Sequence, residues 1–416
     1  MKEYSREIDN SWDFRVADTK EFTHCYHTYP AMMIPQVARK LICEYKPKGQ
    51  THLLLDPYMG SGTSLVEASI VGINAIGTDI NPLARNMSTV KTTHYDEEKI
   101  SSSLEVILNA MNLYSEEKVI ERSFDRISNY TFWYKESDLL KLSYLQQIIN
   151  SLVYGKDFFQ IVLSEVVREV SFTRNGEFKR FKMSAKALEN FNPDTFKIFE
   201  IKSIRNIKGL AQYNQKNTGA QITICDFNST YSIPRDIIPE GSVDMVVTSP
   251  PYGDSHTTVA YGQFSRWANE WFGYKEAKSL DKLLMGGNTK IDGEDYETES
   301  IRDVLDCIKG IDAKRYKEVV SFLNDYWHSI ENVADSIRIG GMVCYVVGNR
   351  NVKGQQIPLD YFTAEMFEKC GFRHIITKIR EIPNKRMPSK TSPTNVSGKK
   401  VDTMSNEYIV ILEKVR

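Results

Sequence analysis

Along most of the chain, short apolar runs that stop at small or acidic residues alternate with stretches whose apolar positions recur every three or four residues. The first kind reads as buried strands and the second as helices packed on them, which is the pattern of an α/β fold. Seven strands are expected, at residues 52–56, 74–79, 221–226, 243–248, 342–347, 373–382 and 407–412. After the first comes a glycine-containing turn, then a helix with an apparent capping box, Ser64-x-x-Glu67, that stops at Gly72. Val319, Phe322, Tyr326, Ile330, Val333 and Ile337 share one face of a long helix ending at Gly340-Gly341. Another helix begins near Asp360, buries Phe362, Met366 and Cys370, and stops at Gly371. The last two strands are joined without a helix, so they form an antiparallel edge on an otherwise parallel, doubly wound sheet.

From about residue 96 the pattern changes. Leu142, Leu145, Ile149 and Leu152 recur at helical spacing, and residues 158–170 continue in the same way. Residues 171–182 read as a hairpin around an Asn175-Gly176 turn. The chain therefore divides into residues 1–95, an inserted and mostly helical region 96–215, and residues 216–416.

Composition narrows the function classes. With 416 residues, 41% hydrophobic and 26% charged, the chain has room for two or three ordinary domains. No apolar run approaches the length of a membrane span, and the first residues lack the apolar core of a signal peptide. Cysteines 25, 43, 225, 307, 344 and 370 are scattered without a CxxC pair, as expected in a reducing cytosol. His256 has no second His or Cys beside it to suggest a metal. The net charge of -1 means that any polyanionic partner must meet a local basic surface. Two stretches qualify: Arg174, Lys179, Arg180, Lys182 and Lys186 among Phe172, Phe178 and Phe181, and Lys385, Arg386, Lys390, Lys399 and Lys400 between the last two strands. Both also read as ordinary solvated surface. Trp267 and Trp271, four apart, read as helix core, and the polar stretch 275–312 suggests no mechanism.

The turn after the first strand holds Gly60-Ser61-Gly62-Thr63, too short for a dinucleotide fingerprint and without the lysine of a P-loop. Asp79, at the end of the second strand, is placed to accept from two ribose hydroxyls, and Asp226, at the end of a third, from an adenine amine. Together they point to a nucleoside-type cofactor. The strand at 243–248 runs into Ser249-Pro250-Pro251-Tyr252. Successive prolines end a strand and leave the Pro250 carbonyl without an N–H on Pro251. An exocyclic base amine is a poor nucleophile because its lone pair is delocalised into the ring. The Ser249 hydroxyl and Pro250 carbonyl offer two acceptors that hold its hydrogens and draw the nitrogen toward tetrahedral geometry. Tyr252 offers a face for an extruded base, and residues 253–256 and 261–264 are candidates for the base pocket.

These motifs resemble those of the amino-group DNA methyltransferases of the N4-cytosine / N6-adenine type. Asp56-Pro57-Tyr58-Met59-Gly60-Ser61-Gly62-Thr63 is similar to the family's cofactor motif and Ser249-Pro250-Pro251-Tyr252 to its catalytic motif. The segment from His27 to Pro35, with Tyr29 and Pro30, resembles the part that holds the methionine end of the cofactor. The resemblance implies a Rossmann-like class I methyltransferase sheet, S-adenosylmethionine as cofactor and double-stranded DNA as partner. It also implies a cytoplasmic enzyme of prokaryotic or phage type, with a cognate restriction endonuclease as a possible companion. By the same resemblance Gly60 and Gly62 approach the cofactor, Asp79 takes the ribose and Asp226 the adenine. Serine at position 249, where adenine-specific relatives usually carry Asp or Asn, favours the N4 of cytosine; the N6 of adenine and an RNA base amine are the alternatives. The order of the two motifs leaves 96–215 as the natural target-recognition region.

Overall fold

The computed structural model describes residues 3–47, 49, 52–254, 258–288, 291–382, 390–391, 401–402 and 406–416. Its main sheet is built from β1 (Arg6–Ile8), β2 (Leu53–Asp56), β3 (Asn74–Thr78), β4 (Ile222–Cys225), β5 (Val243–Thr248), β6 (Ile337–Val347), β7 (Phe372–Glu381) and β8 (Asn406–Lys414). The strands lie in the order β1-β7-β8-β6-β5-β2-β3-β4. β4, β3, β2, β5 and β6 run parallel, and β8 is antiparallel to both β6 and β7. All seven expected strands are present, with the antiparallel edge where the sequence pattern put it. The eighth is β1, parallel to β7, held by the Arg6 guanidinium bidentate on Asp360 at 2.8 Å and stacked 3.7 Å over Tyr361.

The strands read as continuous apolar runs because helices cover both faces. Val343, Tyr345 and Val347 of β6 point to one core and Cys344 and Val346 to the other, the period of two that a pleated strand requires. The long helices, in chain order, are α1 (Pro35–Tyr45), α2 (Thr63–Val71), α3 (Pro82–Thr92), α4 (Glu97–Asn112), α5 (Glu136–Ser151), α6 (Lys156–Glu169), α7 (Thr195–Asn214), α8 (Tyr261–Trp271), α9 (Arg302–Ile311), α10 (Ala313–Ser336) and α11 (Leu359–Lys369). α10 and α11 pack on the first core with Phe322, Tyr326, Phe362 and Phe367, and α1 and α2 on the second with Leu41 and Leu65. Residues 97–214 are mostly helical and build a third core, shared with α3, α8 and Tyr26. Trp267 and Trp271 are both fully buried in it.

Three local expectations are corrected. α2 begins after Gly62, whose backbone is left-handed, and no side chain caps it; Ser64 and Glu67 are buried instead of forming a capping box. Glu67 meets His24 at 2.8 Å and Arg39 at 2.6 Å, partners remote in sequence. Gly340-Gly341 lie within β6, which starts at Ile337, and the extra length is absorbed as a register shift against β5. The hairpin at 171–182 does not turn at Asn175-Gly176: Thr173 bridges Lys182 and Arg174 N–H donates to the Phe181 carbonyl, so 175–180 is a wider loop. Among the described residues no helix is long and apolar enough to cross a membrane.

Candidate active site

β2 and β5 are adjacent, yet the chain leaves β2 toward β3 and β4 and returns only later to β5. That reversal of strand order opens a crevice at the carboxyl ends, where ligands bind in doubly wound sheets. The turn after β2 and the turn after β5 border one cleft of about 880 Å³, open to solvent.

The first turn is stitched from behind, which leaves its front for the cleft. Gly62 has φ +76°, and a Cβ there would lie 2.6 Å from Ser88 Oγ and 2.9 Å from its Cβ, so glycine is needed on both counts. Ser88 Oγ donates to the Gly60 carbonyl at 3.1 Å, and the buried Lys91 ammonium donates to the Ser61 carbonyl at 2.7 Å. Burial lowers the Lys91 pKa to about 8. Asp56, at the end of β2, accepts from Tyr58 N–H and from the Thr248 hydroxyl at 2.5 Å, which joins the two turns directly.

Asp79 follows β3. Its Oδ2 accepts from Gly60 N–H at 3.1 Å and its Oδ1 from Asn81 N–H at 2.8 Å, and it has no ion pair among the described residues. Each oxygen keeps a spare lone pair, and the carboxylate borders the cleft, so it can accept two further hydrogen bonds from a bound group. Burial raises its pKa to about 6. Asn81 caps α3 and ties the wall together, donating to Tyr29 Oη at 3.0 Å and Ser265 Oγ at 3.1 Å while accepting from Asn269. It was missed as a site residue, although an Asn-Pro pair after a strand is a legible helix start.

The structure gathers most of the expected residues. Tyr29, Pro30, Asp56, Tyr58, Gly60, Thr63, Asp79, Ser249 and Pro251 border the cleft. Gly62, Pro250 and Tyr252 sit in the same two turns but do not line it, and Asp226 lies exposed just past β4, where Phe227, Asn228 and Ser229 form the wall instead. Tyr261 also lines it, its ring 5.8 Å from that of Tyr29. So do Leu283, Leu284 and Met285 from the polar stretch that carried no motif. That stretch is fastened by Gly286 N–H to Asp325 at 2.8 Å and by Thr298 and Ser300 to Glu365.

At the second turn the Ser249 hydroxyl lies 3.0 Å from the Val346 carbonyl and 3.2 Å from Tyr252 Oη. Tyr252 Oη donates to Glu407, whose carboxylate pairs with the buried Arg380. With Tyr252 Oη donating to Glu407 and the Ser249 hydroxyl donating to the Val346 carbonyl, the Ser249 oxygen is left as an acceptor. No described residue donates to the Pro250 carbonyl. Just beyond, the buried Asp254 pairs with the half-buried Arg350 at 3.0 Å.

The basic hairpin is largely committed to its own fold. Arg180 stacks 4.6 Å over Trp267, Lys182 sits 3.8 Å over Phe132, and Arg174 pairs with Glu177 at 3.3 Å. Phe132 and Phe181 remain exposed. Of the second basic stretch, Lys385, Arg386, Lys399 and Lys400 lie outside the described residues, as does the Lys390 side chain; His256 lies outside them too.

The chain is similar to known proteins. The N6_N4_Mtase family model, a DNA methylase, matches residues 1–89. Type II methyltransferase M.MvaI of Kocuria varians is 40% identical over 425 residues, which span 96% of this chain and 93% of that protein. Type II methyltransferase M.BsoBI of Geobacillus stearothermophilus is 23% identical over 420 residues, 86% of this chain and 80% of the relative. A solved SAM-dependent methyltransferase from Methanosarcina mazei overlays with a TM-score of 0.34 at 10% identity, over 94% of this chain and 99% of that one.

Proposed function

Since the chain belongs to the amino-group DNA methyltransferase family, we propose that it methylates the exocyclic N4 of cytosine within a specific double-stranded DNA sequence. S-adenosylmethionine is the cofactor, and when bound it supplies an electrophilic methyl group. On this reading Asp79 accepts from the ribose hydroxyls, the turn from Tyr58 to Thr63 lies along the cofactor, and Tyr29 and Pro30 flank its methionine end. The adenine falls beside Phe227 and Asn228, with Asp226 at the rim.

The observation that carries the reading is the state of Ser249. Its oxygen is an acceptor on the wall of the cleft that Asp79 also borders. The Pro250 carbonyl supplies the second acceptor. Held between them, the cytosine amine loses conjugation with its ring and gains nucleophilicity. Tyr252 gives the extruded base a flat partner, and its link to Glu407 and Arg380 fixes the ring. The helical region 96–215 serves target recognition on this proposal. Supporting that role, it packs on α8, the helix that starts just beyond the catalytic turn. A restriction-modification setting, with a paired endonuclease, follows the same reading.

The test is Ser249→Ala and Tyr252→Ala, assayed with labelled cofactor and duplex DNA. Transfer should fall by about two orders of magnitude or more in each, the scale of losing a transition-state hydrogen-bonding partner. Cofactor affinity by calorimetry should stay unchanged. Transfer that survives both substitutions removes the catalytic assignment.

A further inference from the structure

Glu165 lies in α6 of the inserted helical region, far in sequence from either motif. It is buried, and its carboxylate is shared between two neighbours. Oε1 accepts from Thr28 N–H at 3.2 Å and the Thr28 hydroxyl at 3.0 Å. Oε2 pairs with Arg205 at 2.8 Å and Lys202 at 3.0 Å, both from α7. Arg205 reaches on to the Tyr26 carbonyl at 2.8 Å, which also accepts from Asn206 at 3.2 Å. Burial alone would push the Glu165 carboxyl up, but His27, Lys202 and Arg205 hold it down at about 2.

These contacts grip residues 26–28, and residues 29–33 that follow directly form one wall of the cleft. The wall has no regular secondary structure, so no ladder of backbone hydrogen bonds sets its shape. Ala31 within it has φ +50°, a strained value for an L residue that persists only where the surroundings enforce it. The enforcement comes from both ends. Asn81 holds Tyr29 from the cofactor half, and Glu165 holds Thr28 from the inserted helices.

We infer that Glu165 is a positioning residue for the cofactor: through Thr28 it sets the wall at residues 29–33, so the inserted helices shape the cofactor pocket as well as facing the target. The inference rests on the reading of the cleft as the cofactor site.

Calorimetric titration of the full chain with S-adenosylmethionine tests it, with Glu165→Ala, Glu165→Gln, Thr28→Val and Asp79→Ala compared with the unsubstituted protein. Glu165→Ala should raise Kd about tenfold or more and Thr28→Val about threefold, the scale of losing one or two hydrogen bonds to a charged acceptor. Glu165→Gln keeps an acceptor for Thr28 and should fall between. For the Glu165 and Thr28 variants the effect should fall on the KM for cofactor, with kcat at saturating cofactor changed by less than about threefold. A merely structural role would lower the melting temperature and leave Kd of the folded protein alone. Should Glu165→Ala fail to fold, the glutamine and valine variants decide. Parent-like Kd in both overturns the inference while Asp79→Ala still loses binding; parent-like binding by Asp79→Ala as well overturns the cofactor reading and the inference with it.

Discussion

Cofactor affinity should titrate with Asp79, and the slope can be worked out from its surroundings. The carboxylate is half-buried, accepts two backbone N–H groups and has no ion pair among the described residues. Burial lifts its pKa to about 6. Only the ionised form can accept from both ribose hydroxyls while keeping its two backbone partners. With that pKa, about 97% of the group is ionised at pH 7.5 and about 9% at pH 5.0, so Kd should rise about tenfold across that range, or about 1.4 kcal/mol. Asp79→Asn should bind more weakly at pH 7.5, because its amide nitrogen faces a backbone N–H, and its Kd should vary less with pH. Asp56, also raised to about 6 by burial, remains in the variant, so the difference between the two slopes belongs to Asp79. Folding linkage has the opposite sign for Asp79. A carboxyl raised above its unfolded value contributes stability below about pH 4 that is lost as pH rises through 6. His24 and His27, lowered to about 4 by burial, lose stability as pH falls below their unfolded value near 6.5. Calorimetry well below the melting temperature, with circular dichroism at each pH, keeps these apart from binding. Equal slopes in the parent and in Asp79→Asn would refute the assignment.

Other outcomes follow from the same geometry. Gly62→Ala should cost about 1–2 kcal/mol for the left-handed backbone and about 1–3 more for the overlap with Ser88, read as a lowered denaturant midpoint at unchanged m-value. Lys91→Met strips the Ser61 carbonyl of its donor and should destabilise the fold by about 1–3 kcal/mol while weakening cofactor binding. Arg180→Ala should lower stability by about 1–2 kcal/mol, from its contact over Trp267, and leave the salt slope of DNA binding unchanged. A flattened salt slope in that variant would show that Arg180 contacts phosphate.

The parallel strands were legible because helices cover both faces and their centres are continuous apolar runs, as in Met245–Val247 of Val243–Thr248. β1 was not: Arg-Glu-Ile at a sheet edge has no apolar period, and what holds it is an ion pair to Asp360, 354 residues away. Long-range partners also defeated the apparent capping box, since Ser64 and Glu67 have the right spacing while His24 and Arg39 claim the glutamate. In the cleft, the positions of Asp56, Asp79 and Gly62 were readable because each serves a local backbone need, whereas Asp226 lies exposed and off the wall. The wall at Leu283–Met285 was not, for apolar residues in a polar stretch announce no chemistry until Gly286 and Asp325 are seen to fasten them. The Asn175-Gly176 turn misled because the pairing of Thr173 with Lys182 sets a wider loop.

The account stands on a rigid proline corner that presents two oxygen acceptors to a base amine. Nucleoside mass spectrometry of duplex DNA incubated with the purified protein and S-adenosylmethionine tests it most directly. N4-methylcytosine is the predicted product, lowered about a hundredfold or more with Ser249→Ala. N6-methyladenine would keep the corner but move the target base, whereas 5-methylcytosine, a product of ring carbon attack, would contradict the chemistry assigned to Ser249 and Pro250.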